Sequence, residues 1–240
     1  MVKVAITQPN FLPWMGYFDM AMRVDIFVLL DDVQYIKREW MNRNKLHLQN
    51  EPYWQWLVVP VEKGEVGKLI NQTRLLIDKS FRRKFDSKFL HAYGKAPYFD
   101  QYYPELKMLM ENEYDSLAHL NVEIIRRIYK WLRLPCNFIL SSSLEAEGSK
   151  SHKLFNICQK LNATHYLANN GSSGYIDPDL FTSNGIRFQY QNFDHPTYTG
   201  AYGNVQPTYL SIVDCLFFHG VYTADLIRSS HQDFKAHSVI

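Results

Sequence analysis

Two apolar runs near the start of the chain, "VKVAIT" (2–7) and "DIFVLLDD" (25–32), flank the short segment "GYFDMAMR" (16–23). A strand that reads as unbroken apolar residues is buried on both faces, as in a parallel sheet covered by helices. Two such runs joined through a helix make a βαβ unit with a right-handed crossover, which leaves few topologies open. The second run closes on Asp31 and Asp32. Ligands of open α/β sheets bind outside the carboxyl ends of the strands, so these residues also mark the edge where a site is expected.

The rest of the chain continues the alternation. "VQYIKREWMNRNKLH" (33–47) is dense in amides and cations and reads as a connecting segment. "YWQWLVVPV" (53–61) and "LINQTRLLI" (69–77) read as two strands of a β-hairpin around Gly64 and Gly67. Residues 80–93, 98–113 and 115–134 follow a helical pattern, the last with Leu117, Leu120, Ile124, Ile125, Ile128 and Leu132 on one face. A strand at 137–141, a helix at about 150–161 and a strand at 164–168 come next. They are followed by a turn-rich loop at 169–177, a strand at 186–191 and an apolar helix at about 208–219. The expected fold class is α/β: a Rossmann-like three-layer fold with a mostly parallel central sheet, a β-hairpin and a helical insertion. Residues 1–240 form one domain, with the insertion at about 80–134.

The chain is 46% hydrophobic and 21% charged, with a formal net charge of +2. That balance gives no case for a nucleic-acid partner. No stretch approaches the roughly 18 uninterrupted apolar residues of a membrane span. Cys136, Cys158 and Cys215 show no CxxC spacing, and their odd number fits reduced thiols. A cytoplasmic protein with a small-molecule ligand is expected, and a homodimer is compatible with these features.

Asp31 and Asp32 can hold a cation, orient a hydroxyl or act as a general base; the ordinary alternative is one helix cap and one solvated carboxylate. "KREWMNRNK" (37–45) offers Lys37, Arg38, Asn42, Arg43, Asn44 and Lys45, types that suit phosphate, carboxylate and hydroxyl groups, against the ordinary reading of a mixed-charge loop. "NNGSSG" (169–174) follows a strand and resembles a nest of backbone N–H groups able to cradle an anion, though Gly-rich turns are common. "SKSHK" (149–153) opens a helix and offers an anion site through Lys150, or simply a Ser cap with exposed cations. The nine histidines include no HxH or HxxxH pair, so no metal site is expected. His195, in "FDHPTY", lies beyond a strand end and is the best histidine for chemistry, although structural or exposed histidines are more common. In the first turn, "TQPNFLPWMGY" (7–17), Gln8, Asn10, Trp14 and Tyr17 are the residues expected to face a ligand.

The stretch "AITQPNFLPWMGYFDMAMRVDIFVLLDDVQYIKREWMNRNK" resembles the opening of the WbqC-like protein family. Gln8, Pro9, Pro13, Trp14, Gly16, Tyr17, Phe18, Asp31, Asp32, Val33, Gln34, Tyr35, Trp40, Asn42, Arg43 and Asn44 fall on its pattern. "LNATHYLANNGSSGYID", "GIRFQYQNFDHPTY" and "LSIVDCLFFHG" are similar to its C-terminal stretches, with Ser173 where the family form carries Arg. The resemblance implies an enzyme of bacterial surface-polysaccharide (O-antigen) biosynthesis: a transferase passing an acyl or aminoacyl group to a nucleotide-linked amino sugar, with no cofactor evident beyond the group donor. In that setting Asp32 is the base or orienting group, with Asp31 and His195 as further catalytic candidates. Arg43 and Lys37 steady phosphates, Gln8 and Asn10 read sugar hydroxyls, and Trp14 and Tyr17 form a stacking wall. Gln34, Asn42, Asn44, Asn170, Gly171, Ser172 and Gly174 complete the expected binding set. A fainter likeness in layout, with "WMGY" (14–17) in the place of an HxGH signature, is similar to nucleotidylyltransferases and pantothenate synthetase-like ligases. It implies ATP with magnesium, but Trp14 and Tyr17 replace the histidines that stabilise charge on the phosphates. A non-catalytic sugar-binding protein is the third reading.

Overall fold

The computed structural model describes residues 1–48, 50–135, 137–200 and 209–230. β1 (Lys3–Thr7), α1 (Met15–Met22) and β2 (Ile26–Leu29) form the opening βαβ unit. β3 (Arg43–His47) and β4 (Trp54–Val58) make a separate antiparallel pair. Three helices follow: α2 (Lys79–Tyr93), α3 (Phe99–Glu111) and α4 (Leu117–Trp131). The chain then returns to the sheet through β5 (Phe138–Leu140), α5 (Lys150–Lys160), β6 (His165–Ala168), α6 (Pro178–Thr182) and β7 (Arg187–Tyr190). It finishes with α7 (Ile212–His219) and α8 (Thr223–Ser229).

The central sheet runs β5-β2-β1-β6-β7, with every neighbouring pair parallel. The chain builds outward from β1 to β2 and β5, then reverses past β1 to add β6 and β7. The strand order therefore switches between β1 and β6, and the two carboxyl ends there diverge into a crevice. Alternate residues on each strand serve opposite faces. Ala5, Phe27, Leu29 and Leu167 pack with α1, the three middle helices and α7. Val4, Ile6, Val28, Tyr166 and Ala168 pack with α5 and α6. Both faces are covered, which is why β1 and β2 read as continuous apolar runs.

The hairpin differs from its expectation. Residues 54–58 pair with 43–47, not with 69–77. The 69–77 segment contains a 3-10 turn at Ile70–Gln72 and touches other strand-like backbone only at isolated bridges, Gln34 to Leu69 and Val61 to Leu75. Polar side chains organise it. Buried Glu65 accepts from Lys68 Nζ (2.7 Å) and the Arg74 N–H (2.8 Å), and Asn71 Nδ2 donates to Asp31 (3.2 Å). In "RNKLH" the cations Arg43 and Lys45 alternate with buried Asn44 and Leu46, a strand period that the polar content hides.

The turn after β1 is buried rather than looped out. Phe11 and Leu12 are fully buried, and Leu12 takes a left-handed φ of 45°. Its carbonyls cannot join a ladder, so they need other donors. Asn44 Nδ2 donates to the carbonyls of Phe11 (3.1 Å) and Leu12 (2.6 Å). Asn121 Nδ2, from α4, donates to Pro9 and Met41 (2.8 Å each). The Ile212 N–H reaches the Pro13 carbonyl (2.8 Å). Gly16 lies under the Trp14 ring, where a Cβ would come within 2.2 Å of a ring carbon, so only glycine fits.

A second buried polar cluster ties α7 to α2. Burial pushes the Asp214 carboxyl up to about 6, partly offset by the hydroxyls of Tyr198 (2.8 Å) and Tyr93. The Tyr93 oxygen in turn accepts from the His47 N–H (2.9 Å).

Two stability outcomes follow. Asn121→Ala leaves two buried carbonyls unpaired and should cost about 2–4 kcal/mol in urea melts, whereas Gln101→Ala, at an exposed position of α3, should fall within about 0.5 kcal/mol of wild type. Asp214 is protonated in the fold at a pH where the unfolded chain has already ionised. Its contribution therefore falls as pH rises from about 4 to about 6. Asp214→Asn should remove that slope and stabilise the protein at pH 8 by roughly 1–3 kcal/mol; an unchanged pH profile in the variant would count against the buried charge.

Candidate functional site

The carboxyl edge of the sheet gathers side chains from every strand exit. Beyond β2, Asp31 is only 2% exposed and its carboxylate is fully engaged. Oδ1 accepts from the Ser142 N–H (2.9 Å) and faces Ser141 Oγ (3.1 Å); Oδ2 accepts from Ser142 Oγ (2.7 Å) and Asn71 Nδ2 (3.2 Å). Asp31 thus joins the exits of β2 and β5. Asp32 is less enclosed: Oδ2 accepts from Lys153 Nζ (2.7 Å), and Oδ1 contacts Ser141 Oγ closely. The single Ser141 proton can serve only one of the two carboxylates. The two aspartates therefore divide, Asp31 bracing the frame and Asp32 forming a partly accessible ion pair with Lys153 from the first turn of α5.

Beyond β1, the Tyr17 hydroxyl donates to the Gln8 carbonyl (3.2 Å). Gln8 and Asn10 are half-buried, and Asn10 Oδ1 is buried with no donor among the described residues. Trp14 is half-buried, edge-on to Phe193 (5.6 Å) and Tyr209 (4.9 Å). Beyond β7, His195 Nδ1 lies 3.1 Å from the Pro196 carbonyl and must carry the hydrogen to bond it. Nε2 is then an acceptor, buried and without a donor among the described residues. Burial holds the His195 imidazole below its usual range, so it is neutral at pH 7, the opposing contribution coming from the Pro196 carbonyl.

Several expected ligand residues are structural. Tyr17 packs against Phe18 and Phe27 in the core, and burial raises its hydroxyl well above the usual range. It cannot line a stacking wall. Asn42 and Asn44 are buried and spend their amides on the backbone carbonyls of Val59, Phe11 and Leu12. In the 169–174 turn, the N–H groups of Gly171, Ser172 and Ser173 are already bonded to Asn169 Oδ1, the Asn169 carbonyl and the Asn170 carbonyl. Ser172 is buried, and the turn's donors point inward rather than forming an open nest, although exposed Asn170 and Gly174 still flank the crevice. Gln34 and Lys37 are exposed, away from the Asp32 cluster's bonds. Arg43 lies on the outer face of the hairpin, 4.0 Å above the Trp56 ring.

Lys153, Ser141, Ser142 and Asn71 escaped the sequence reading. Lys153 sits within "SKSHK", where Lys150 drew attention, but only the fold aims it at Asp32. Burial pushes the Cys158 and Cys215 thiols up to about 12, which fits packing rather than nucleophilic roles. Cys136, His231 and His237 lie outside the described residues. Among the described residues no group of three or more His, Cys, Asp or Glu is placed to hold a metal, and no helix is long and apolar enough to cross a membrane.

Comparison with known proteins places this geometry in a family. No solved structure matches the chain. A protein of Mycobacterium tuberculosis described as "Uncharacterized protein Rv1507c" is 33% identical over 236 residues, spanning 97% of this chain and all of that protein. The family model for WbqC-like proteins matches residues 8–225, which takes in the β1 turn, both aspartates, Lys153 and His195. With nearly the whole described fold and every residue of the strand-end site inside that match, this chain belongs to the WbqC-like protein family.

Proposed function

We propose that the protein is a cytoplasmic transferase of bacterial surface-polysaccharide (O-antigen) biosynthesis, passing an acyl or aminoacyl group to an amino sugar carried on a nucleotide. The observation that carries this reading is a pair of buried acceptors without donors among the described residues, Asn10 Oδ1 and His195 Nε2, on the same sheet edge as the Asp32–Lys153 pair. Buried acceptors are rarely left unmet, and a sugar's hydroxyl and amino groups are the donors that would complete them.

The edge is long. β2 and β7 are separated by β1 and β6, so their carboxyl ends lie about 14 Å apart, three strand spacings. Asp32 follows the first of these ends and His195 the second. A nucleotide-linked sugar lying across the switch point would meet both, with Gln8 and Asn10 between them. In acyl transfer the amine attacks the donor carbonyl, a C–N bond forms and the amine loses a proton, while the bond from that carbon to the donor's carrier group breaks and the carrier leaves with the electron pair and takes up a proton. Neutral His195 offers a lone pair for the amine's proton, and Asp32, its charge balanced by Lys153, orients hydroxyls or takes the proton instead, depending on which end holds the amine. Trp14 supplies an apolar wall beside His195.

Purified protein is tested against a panel of nucleotide-linked amino sugars with acyl and aminoacyl donors. Asp32→Asn should lower kcat by at least about 100-fold with the melting temperature near that of wild type; full turnover in that variant would remove Asp32 from the chemistry. His195→Gln keeps an acceptor near the same place but loses the titrating ring. It should flatten the acid limb of the pH–rate profile if His195 is the base, and leave the profile unmoved if Asp32 is. Ligand binding without turnover across the panel would favour a non-catalytic sugar-binding protein.

A further inference from the structure

The outer face of the hairpin carries an arrangement that the strand-end site does not use. Arg43 and Lys45 project from alternate positions of β3, and Trp54 and Trp56 stand beside them on β4, with Lys45 registered opposite Trp56. The Arg43 guanidinium lies 4.0 Å above the Trp56 ring, and Lys45 Nζ lies 4.4 Å from the Trp54 ring. Trp54 and Trp56 meet edge-on at 5.4 Å, and Trp40, 36% exposed, leans on Trp56 at 5.6 Å. Among the described residues neither cation lies within ion-pair distance of a carboxylate. Arg43 Nε is buried and has no acceptor among the described residues.

Exposed lysines without partners are ordinary, because water solvates them. Arg43 and Lys45 are half-buried, so they are partly stripped of water without gaining an anion. Cation–π contact holds each in place but leaves its charge uncancelled. Two positive groups at i and i+2 of a strand are about 6.6 Å apart at their roots. That spacing lets one group close on each phosphate of a diphosphate, with the Arg fork giving paired donors. Trp40 keeps an open ring face beside them. The platform also adjoins the sheet edge: the Lys45 carbonyl accepts from the Ser211 N–H (3.0 Å), and Ser211 bridges to Trp14.

We infer that this face is the diphosphate subsite of the protein, in which Arg43 and Lys45, stacked on Trp56 and Trp54, grip the two phosphates of a nucleoside diphosphate whose base lies on Trp40. The inference deepens the reading of a nucleotide-carried substrate by placing the carrier on the hairpin and the sugar at the Trp14 end of the crevice.

Equilibrium binding tests it without any donor or turnover. The full chain is titrated by calorimetry and tryptophan fluorescence with uridine 5′-diphosphate, adenosine 5′-diphosphate, uridine, inorganic pyrophosphate, glucuronate and an oligouridylate. Either nucleoside diphosphate should bind at least about tenfold tighter than uridine or pyrophosphate, and less tightly as salt rises. Arg43→Gln and Lys45→Gln should each weaken binding about tenfold or more, and Trp40→Leu should erase the advantage over pyrophosphate. If Arg43→Gln does not fold, Lys45→Gln and Arg43→Lys carry the test. Unchanged affinity in the folded charge variants overturns the inference, as does failure of both nucleoside diphosphates to bind wild type. Preference for glucuronate or for the oligonucleotide overturns it too. Intact diphosphate binding without transfer in any panel sinks the transfer reading alone; transfer with an unchanged KM in Lys45→Gln sinks the platform alone.

Discussion

A buried backbone must find hydrogen-bond partners, and the turn that leaves β1 is buried without belonging to any ladder. Its two prolines lack N–H groups, its leucine sits at positive φ, and its carbonyls face the core. Side-chain amides solve the problem. Asn44 reaches in from the hairpin and Asn121 from the middle helices, so one short turn draws together the sheet, the two-stranded pair and the helical segment. Each unpaired carbonyl there would cost on the order of 1–3 kcal/mol, a large share of the stability of an ordinary domain. The crowding of aromatic and proline residues is therefore first a packing solution, and the carboxyl edge of the sheet is what it holds in place.

The same economy appears at the aspartate pair. Two adjacent carboxylates at a strand end look interchangeable, yet the chain turns one inward and leaves the other partly exposed. Asp31 takes four contacts and becomes a brace between two strand exits. Asp32 meets Lys153 and stays within reach of a ligand. Across the sheet, His195 is fixed in a neutral tautomer by the carbonyl of the next residue. The site is thus a line of groups along an edge rather than a single cluster, which suits a ligand longer than one ring.

Much of this was legible in the sequence. The continuous apolar runs of β1 and β2 announce burial on both faces, and the alternation of strands and helices from 137 onward announces a parallel sheet. The three middle helices follow from their apolar spacing. Less legible were segments in which polar residues do structural work. "RNKLH" forms a strand although three of its five residues are cationic or amide, because Asn44 and Leu46 alternate with the cations as buried positions, with His47 buried at its end, and the Asn44 amide is consumed by the neighbouring turn. "LINQTRLLI" has the composition of a strand but meets other backbone only at isolated bridges; Thr73 bonds locally to the Leu69 carbonyl and Asn71 reaches Asp31. Asn42, Asn44 and Tyr17 look like ligand residues by type, and burial assigns them to the frame.

What the amino-acid order determines by itself is periodicity and chemistry: which segments can be buried on two faces, where the chain must turn, and which groups are able to bond or carry charge. These are local properties, set by backbone geometry and transfer free energy. Which carboxylate is satisfied, which amide is spent, and which lysine arrives opposite Asp32 are decided only by the tertiary structure. The pairing of Asp32 with Lys153 joins residues 121 positions apart, and burial and hydrogen-bond completion depend on what the whole fold brings into contact.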